Sequence, residues 1–476
     1  MNLNYTHLLP EIILSLTGII IMLVIPFVSR NQQVRLGYPT LVGICLAFLV
    51  LILEWNQTGL AFFGMVLQDP FSQFCKALFL LSTAVIVLIT MTYLKQENLA
   101  VGECYPLLLF ATVGMCLMAA GADLIISFLG LEILSISTYI LVGFKKRNYK
   151  SNESAIKYFL LGAFSTTFLL YGIAFVYGAT GSTKYLIIAE SIHTLNFEYH
   201  ILLWGLGLML VGFGFKIALA PFHIWAPDVY EGAPLPVMAH LAVGVKISAL
   251  IVLTRILFQV LPELSQEWQL LLWVSAVLTM GIGNIAALTQ TNIKRMLAYS
   301  SIAHAGYLLL GLTAHNELSL QGILYYLVAY TLMTLGALTV VQILGGQNEH
   351  YIQIEDYAGI GYRYPFLGIS LSIFLISLAG IPTTAGFMGK FFLFAATLKS
   401  GMYGLIILAI IASAIGIYYY LRVIVLMYMG ELQDERSLIN IPLSLRIVIL
   451  IMVLGTVYLG TLPGTFLNLA IEAANF

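Results

Sequence analysis

The chain has 476 residues, 60% of them hydrophobic and 9% charged, with a formal net charge of −1 and a mean hydropathy of +0.97. A soluble domain carries about 25% charged residues, so this composition excludes a domain that covers its surface in water. The near-zero charge names no partner, and four dispersed cysteines (Cys45, Cys75, Cys104 and Cys116) with no CxxC pair suggest neither an iron–sulfur cluster nor a disulfide framework.

Apolar runs of about 20 residues recur along the whole chain, each enough to cross ~30 Å of hydrocarbon. Backbone groups in lipid must bond within their own segment, so the runs read as helices and not as the short alternating strands of a barrel. In chain order the cores fall near 10–29, 36–54, 72–94, 105–121, 124–144, 154–178, 200–219, 235–259, 268–288, 296–313, 319–344, 365–400, 402–429 and 443–463. The fold class is therefore an all-α polytopic membrane protein of about 14 transmembrane helices. Ser29, Arg30 and Asn31 follow the first run without a small-residue cleavage site, so it reads as a retained helix. Pro382 separates 365–381 from 386–400, and these count as one broken helix.

Basic residues test this map. Loops after odd-numbered spans, with the adjoining span ends, hold 14 Lys and Arg, from Arg30 to Arg436 and Arg446, densest in "KKRNYK" (145–150). Loops after even-numbered spans hold only Lys76, Lys184, Arg255 and Lys399, and the remaining three lysines lie inside spans. Positive loops face the cytoplasm, which puts both termini on the non-cytoplasmic side of a bacterial inner membrane.

The three interior lysines are Lys216, Lys246 and Lys390, and the one acidic residue deep in a span is Glu132, in "DLIISFLGLEILSISTYILVGF". Lys216 stands in "GFGFKIALAPFHIWAPDVYEG", where Pro221 and then Pro227 interrupt the run. Lys390 stands in "GFMGK", which shares G-F-x-x-K with 212–216. "YILVG" (139–143) resembles "YLLLG" (307–311), and Tyr158 matches Tyr326, at a constant offset of 168. The offset spans five helices, an odd number, so the second copy is inverted: two inverted five-helix repeats, each with a broken helix, an architecture of transporters. The expected organisation is N-terminal helices at 1–100, a first repeat at 101–262, a second at 263–430 and a C-terminal helix at 431–476.

An ionisable group at a helix centre costs about 2.5–3.5 kcal/mol on insertion scales. Ion pairs that fix helix packing are the plain use for such groups, but one carboxylate serves only one lysine. A lysine buried away from a counter-charge gives up its proton readily, and a carboxylate that approaches or withdraws can switch it; arginine cannot do this. Glu132, Lys216, Lys246 and Lys390 are therefore candidate proton carriers, with His304 as a candidate relay although a lone buried histidine is more often a hydrogen-bonded core residue. His223 and His240 take the core reading, Asp228 and Glu231 read as solvated loop charges or caps, and the tyrosines as packing or interfacial belts. No G-x-x-x-x-G-K-[ST], no strand-borne G-x-G-x-x-G and no ligand cluster occur, so neither ATP, NADH nor a redox metal is expected on this chain.

"GFGFKIALAPFHIWAPDVYEGAPLPV", "LTQTNIKRMLAYSSIAHAGYLLLG", "ISLAGIPTTAGFMGKFFLF" and "SAIGIYYYLRV" are similar to the antiporter-like membrane chains of proton-pumping NADH-quinone oxidoreductase, respiratory complex I. The resemblance runs from about residue 105 to 430, and lysine at 390 resembles the subunit N, or subunit 2, type. It implies that Glu132 and Lys216 form a coupling pair in a first half-channel, Lys246 a central relay, His304 part of the connecting polar axis, and Lys390 the end of a second half-channel. It also implies that FMN, iron–sulfur clusters and quinone belong to partner subunits, and that this chain packs among other membrane chains of the complex. A cation/proton antiporter or membrane-bound hydrogenase subunit is the alternative, since such chains use similar motifs.

Overall fold

The computed structural model describes residues 5–55, 57–194, 198–431 and 441–474. Arg436, one of the loop cations, lies outside them. The first group of helices is α1 (Leu9–Val24), α2 (Gly37–Leu53), α3 (Pro70–Gln96), α4 (Cys104–Ala120), α5 (Leu124–Val142), α6 (Tyr149–Thr180) and the short α7 (Tyr185–Ser191). A small antiparallel hairpin, β1 (Gly59–Ala61) and β2 (Val66–Gln68), joins α2 to α3. Next come α8 (Glu198–Ile217), α9 (Trp225–Gly232), and α10 (Leu235–His240), which continues through a π turn (Leu241–Val245) into α11 (Lys246–Arg255). The remainder is α12 (Ser265–Leu288), α13 (Ile293–Ala314), α14 (Glu317–Gly345), α15 (Ile360–Arg363), α16 (Pro365–Ala379), α17 (Ala385–Lys399), α18 (Tyr403–Met429), α19 (Leu443–Thr461) and α20 (Pro463–Ala473).

Among the described residues, 12 helices are long and apolar enough to cross a membrane. Two of the expected spans fall short of that length. One is α4, with 17 residues. The other, 365–400, is two helices of 15 residues each, because the chain turns at Gly380–Thr384. Polar residues just outside the apolar runs start several helices: Asp69, Asp123, Asn148, Asn292 and Asn316 each accept from a backbone N–H of the first turn of α3, α5, α6, α13 and α14.

The segment Leu235–Val260, α13 and α14 form the centre, with 94%, 94% and 89% of their apolar windows buried, against 33% for α6 and α18 at the rim. A helix enclosed on all sides needs no polar face, and these three show none. Helices close on one another through small residues: Gly172 of α6 and Gly205 of α8 sit against each other's carbonyl oxygens, where a Cβ would be 2.7 and 2.9 Å away.

The two broken stretches differ in form. After α8, Ala218 takes a left-handed φ of +62° and Leu219 N–H reaches back to Gly214 O at 2.8 Å. Pro227 does not interrupt anything. It lies in the first turn of α9, where a missing N–H has no intrahelical acceptor to lose. After α16, Gly380 (φ +81°) and Thr383 (φ +73°) turn the chain into α17.

Two cations counted as loop-side charges are buried. Lys76 pairs with Glu11 at 2.7 Å. Arg255 makes a two-pronged pair with Asp69 at 2.8 and 3.0 Å and donates to Ala119 O. Breaking a buried pair by removing one partner costs about 3–5 kcal/mol, whereas replacing both by apolar groups is often neutral. We expect Asp69→Asn, which keeps the cap on α3, to lower the thermal midpoint of the detergent-solubilised protein, and Asp69→Leu with Arg255→Met to recover most of it. Equal midpoints for Asp69→Asn and the native chain would contradict this account.

Candidate functional site

Lys216 lies in the last turn of α8 and points its ammonium at α5. Lys216 Nζ donates to Ser135 Oγ at 2.7 Å and to Tyr139 OH at 3.1 Å. The ammonium also faces the rings of Tyr139 (5.0 Å) and Tyr158 (5.5 Å). Trp225, the first residue of α9, closes this cage by stacking on both Tyr158 and Phe215. Glu132 is on α5, three residues before Ser135, or about one turn along the helix. Among the described residues no ion pair within 4.0 Å joins Glu132 to Lys216, and Glu132 Oε1 is buried without a hydrogen bond. Ser135 Oγ and Tyr139 OH, not the Glu132 carboxylate, are thus the direct partners of Lys216 on α5.

Lys246 follows the π turn and enters the centre between α13 and α14. Its Nζ donates to Ser301 Oγ, which also accepts from Tyr330 OH at 2.9 Å. A cavity lined by Ile217, Lys246, Ser301 and Tyr330 has room for about one water molecule. Lys216 itself is not among the residues that line it. One turn further along α13, His304 bonds Tyr326 OH through Nδ1 at 2.5 Å and Tyr420 OH through Nε2 at 3.2 Å. Tyr420 OH bonds Ser300 Oγ in turn. Ser301, His304 and Tyr307 recur every three residues, so they lie along one face of α13.

Lys390 completes the row. Its Nζ sits over the Tyr307 ring at 4.6 Å and donates to Ser413 Oγ at 3.0 Å, Ala379 O at 3.1 Å and Leu378 O at 3.3 Å. The two carbonyls are the free end of α16. Tyr139 and Tyr307, 168 residues apart, each lie beneath a lysine ammonium. Ser300 stands at the same offset from Glu132.

Residue types set aside in the sequence thus fill the gaps between the charges: Ser135, Tyr139, Ser301, Tyr326, Tyr330 and Tyr420 all bond to a buried lysine, to the histidine, or to a hydroxyl that does. The 168-residue offset, which pairs Tyr139 with Tyr307 and Tyr158 with Tyr326, was the signal that could have found four tyrosines of the site. His240 is buried, and neither ring nitrogen makes a hydrogen bond among the described residues.

Asp228 and Glu231 are not free loop charges. They lie on one face of α9 and pin it: Asp228 to Arg295 (2.8 Å) and Lys157 (3.1 Å), and Glu231 to Arg295 (3.0 Å) and Lys150 (3.2 Å). Partial burial pushes both carboxyls up, but the hydrogen bonds and charges of these cations outweigh it and hold both below their ordinary values. Among the described residues no three His, Cys, Asp or Glu side chains converge to hold a metal ion.

Residues 121–416, which include Lys216, Lys246 and Lys390, match the family described as the NADH:quinone oxidoreductase/Mrp antiporter membrane domain. The chain belongs to this family. NADH-quinone oxidoreductase subunit N of Trichlorobacter lovleyi is 44% identical over 473 residues, covering 99% of this chain and 97% of that one. A chain of respiratory complex I from Thermus thermophilus with bound aureothin is 34% identical and superposes with a TM-score of 0.84 over 97% of this chain and 100% of that chain. A chain of the Mrp complex from Dietzia has a TM-score of 0.86 over 99% of this chain and 97% of its own length, but is 18% identical, a likeness of fold alone. α9 supplies Trp225, which closes the Lys216 cage, so its anchoring is testable.

The carboxyls that anchor α9 have folded-state values below their ordinary 3.8 (Asp228) and 4.5 (Glu231). A depressed carboxyl stabilises the fold above its ordinary value and loses that contribution as pH falls through the folded one. Amide exchange in 225–232, corrected for intrinsic rates, should therefore stay flat from about pH 8 to 5 and rise only below about pH 4. A rise centred near neutral pH would show that other groups hold α9.

Proposed function

We propose that this chain is a proton-translocating membrane subunit of an NADH-quinone oxidoreductase, and that its own contribution is a row of buried lysines that take up and release protons. The observation that carries this reading is how the lysines are satisfied. Lys216, Lys246 and Lys390 are each buried, and the hydrogen-bond partners of their ammonium groups are hydroxyls and carbonyls, which are neutral. A buried cation held only by neutral groups keeps its charge at high cost and is relieved by losing a proton.

The residues then divide the work. Glu132, one turn from the Ser135 contact, favours the charged form of Lys216 when ionised and withdraws that support when protonated or drawn elsewhere. A proton leaving Lys216 next passes to Lys246. From Lys246 the hydroxyls of Ser301 and Tyr330 and the His304–Tyr326–Tyr420 group lead along α13 towards Tyr307 and Lys390. The tautomer of His304 decides which tyrosine it donates to. We assign the first half-channel to 101–262 and the second to 263–430, related as inverted repeats.

Electron transfer belongs to partner subunits in this reading, with FMN, iron–sulfur clusters and quinone there and no redox centre in this chain. The chain is a multi-pass membrane protein. We place it in a bacterial plasma membrane with both termini on the non-cytoplasmic side, a reading supported by the excess of Lys and Arg in odd-numbered loops.

The test uses the intact complex in membrane vesicles. Lys246→Met should lower NADH-driven proton uptake on the order of tenfold or more while the complex still assembles. Lys246→Arg should do no better, because a guanidinium retains its proton. Native pumping by an assembled Lys246→Arg complex would sink the proton-carrier role.

A further inference from the structure

Outside the lysine row, one buried charge cluster has no part in the path just described. It lies where α3, α5, α10 and α13 end or begin, all on the side of the membrane that carries the basic loops. Its centre is Glu349, in the connection that leaves α14. Glu349 Oε1 accepts from Tyr93 OH at 2.6 Å and from Leu235 N–H at 3.2 Å, at the starts and ends of α10 and α3. Glu349 Oε2 accepts from Lys294 Nζ at 2.7 Å, in the first turn of α13. Lys294 in turn donates to Ala233 O at 2.7 Å, just before α10.

The neighbouring residue extends the cluster. Asn348 N–H donates to Glu97 Oε1 at 2.7 Å, and Glu97 Oε2 pairs with Lys145 at 2.8 Å, three residues past α5. Lys145 also lies over the Tyr93 ring at 5.3 Å. Two carboxylates therefore face two ammonium groups, and the three partners of Glu349 come from three different helix ends. The backbone is bent to achieve this: Gly346, Asn348 and Glu349 have φ of +67°, +57° and +53°. Side chains other than glycine rarely adopt that region, and the surrounding contacts must hold them there.

The helices tied together are those that present the hydroxyls of the lysine row. α5 carries Ser135 and Tyr139, which hold Lys216. α13 carries Ser301, which holds Lys246, and α10 leads to Lys246 itself. We propose that Glu349 is a positioning residue for proton transfer, clamping the ends of α3, α10 and α13 directly and that of α5 through Tyr93 and Lys145, so that the hydroxyl partners of Lys216 and Lys246 stay in register. The proposal rests on the proton-translocating reading above. It follows from the short reach of a proton: a shift of about 1 Å at a helix end breaks a donor–acceptor contact that a proton must cross.

The experiment measures, in membrane vesicles holding the whole complex, protons moved per NADH oxidised, together with the amount of assembled complex. Glu349→Gln keeps the shape and removes the charge. It should lower the proton-to-NADH ratio about fivefold, the low end of the coupling between linked sites, while NADH oxidation per assembled complex persists. A role in folding alone would lower the amount of complex and leave the ratio unchanged, and an unchanged ratio overturns the proposal. Should Glu349→Gln fail to assemble, Tyr93→Phe decides: it removes one donor to Glu349, keeps the ring, and should lower the ratio in the same direction, whereas a native ratio overturns the clamp. Lys246→Met is measured alongside. Native pumping there would remove the proton-carrier reading itself, while a loss there with a native ratio in Glu349→Gln removes only the clamp.

Discussion

A cation in hydrocarbon must be paired, hydrated or neutralised, and this chain places three lysines where pairing is withheld. Elsewhere the same chain pairs buried charges with one another: Arg255 with Asp69, Lys76 with Glu11, Lys294 with Glu349. The contrast separates two uses of charge. A guanidinium held by both oxygens of an aspartate fixes three helices and cannot release its proton. An ammonium held by a serine and a tyrosine can. The structural ion pairs lie near helix ends, whereas the lysines held by neutral groups lie beside the two chain breaks and the π turn, where their ammonium groups meet hydroxyls and carbonyls.

That arrangement dictates the backbone. A straight helix leaves no polar group free at mid-membrane, so a lysine there would meet only side chains. The two interruptions change this. At the second, the turn at Gly380 leaves Leu378 O and Ala379 O for Lys390. At the first, the turn brings Trp225 back against Phe215 and Tyr158, and α9 is then anchored by Asp228 and Glu231. Non-helical backbone at this depth is tolerable because it is enclosed by protein.

The membrane class, nearly all span positions and the four charged candidates were legible in the sequence, since 20-residue apolar runs and a charge inside them need no context to be read. The partners were not. α13 is apolar and small on every side because it is buried on every side, so no stripe marks which of Ser300, Ser301, His304 and Tyr307 face Lys246 or Lys390. The tyrosines read as packing because most tyrosines in such chains do pack. Arg255 and Lys76 lie near span ends, where a long cation ordinarily reaches for water. Only the fold reveals that Asp69, 186 residues away, meets Arg255 instead.

The inequality of the two lysine sites has a physical account in the helix ends. At the first break Gly214 O accepts from Leu219 N–H, and Phe215 O from Ala218 N–H and from Trp225 Nε1. Lys216 turns away from its own helix end to the hydroxyls of Ser135 and Tyr139 on α5, the helix that also carries Glu132. At the second break, Gly380 N–H takes only Ile376 O and Ser377 O, so the last two carbonyls of α16, at the negative end of its dipole, remain for Lys390. The half with a carboxylate holds its lysine by hydroxyls of a second helix, and the half that holds its lysine by helix-end carbonyls has Ser300 where the other has Glu132. A fixed dipole cannot be protonated, whereas a carboxylate can. Control of proton affinity by a neighbouring carboxylate is thus open to Lys216 and not to Lys390, whose titratable neighbour along the row is His304.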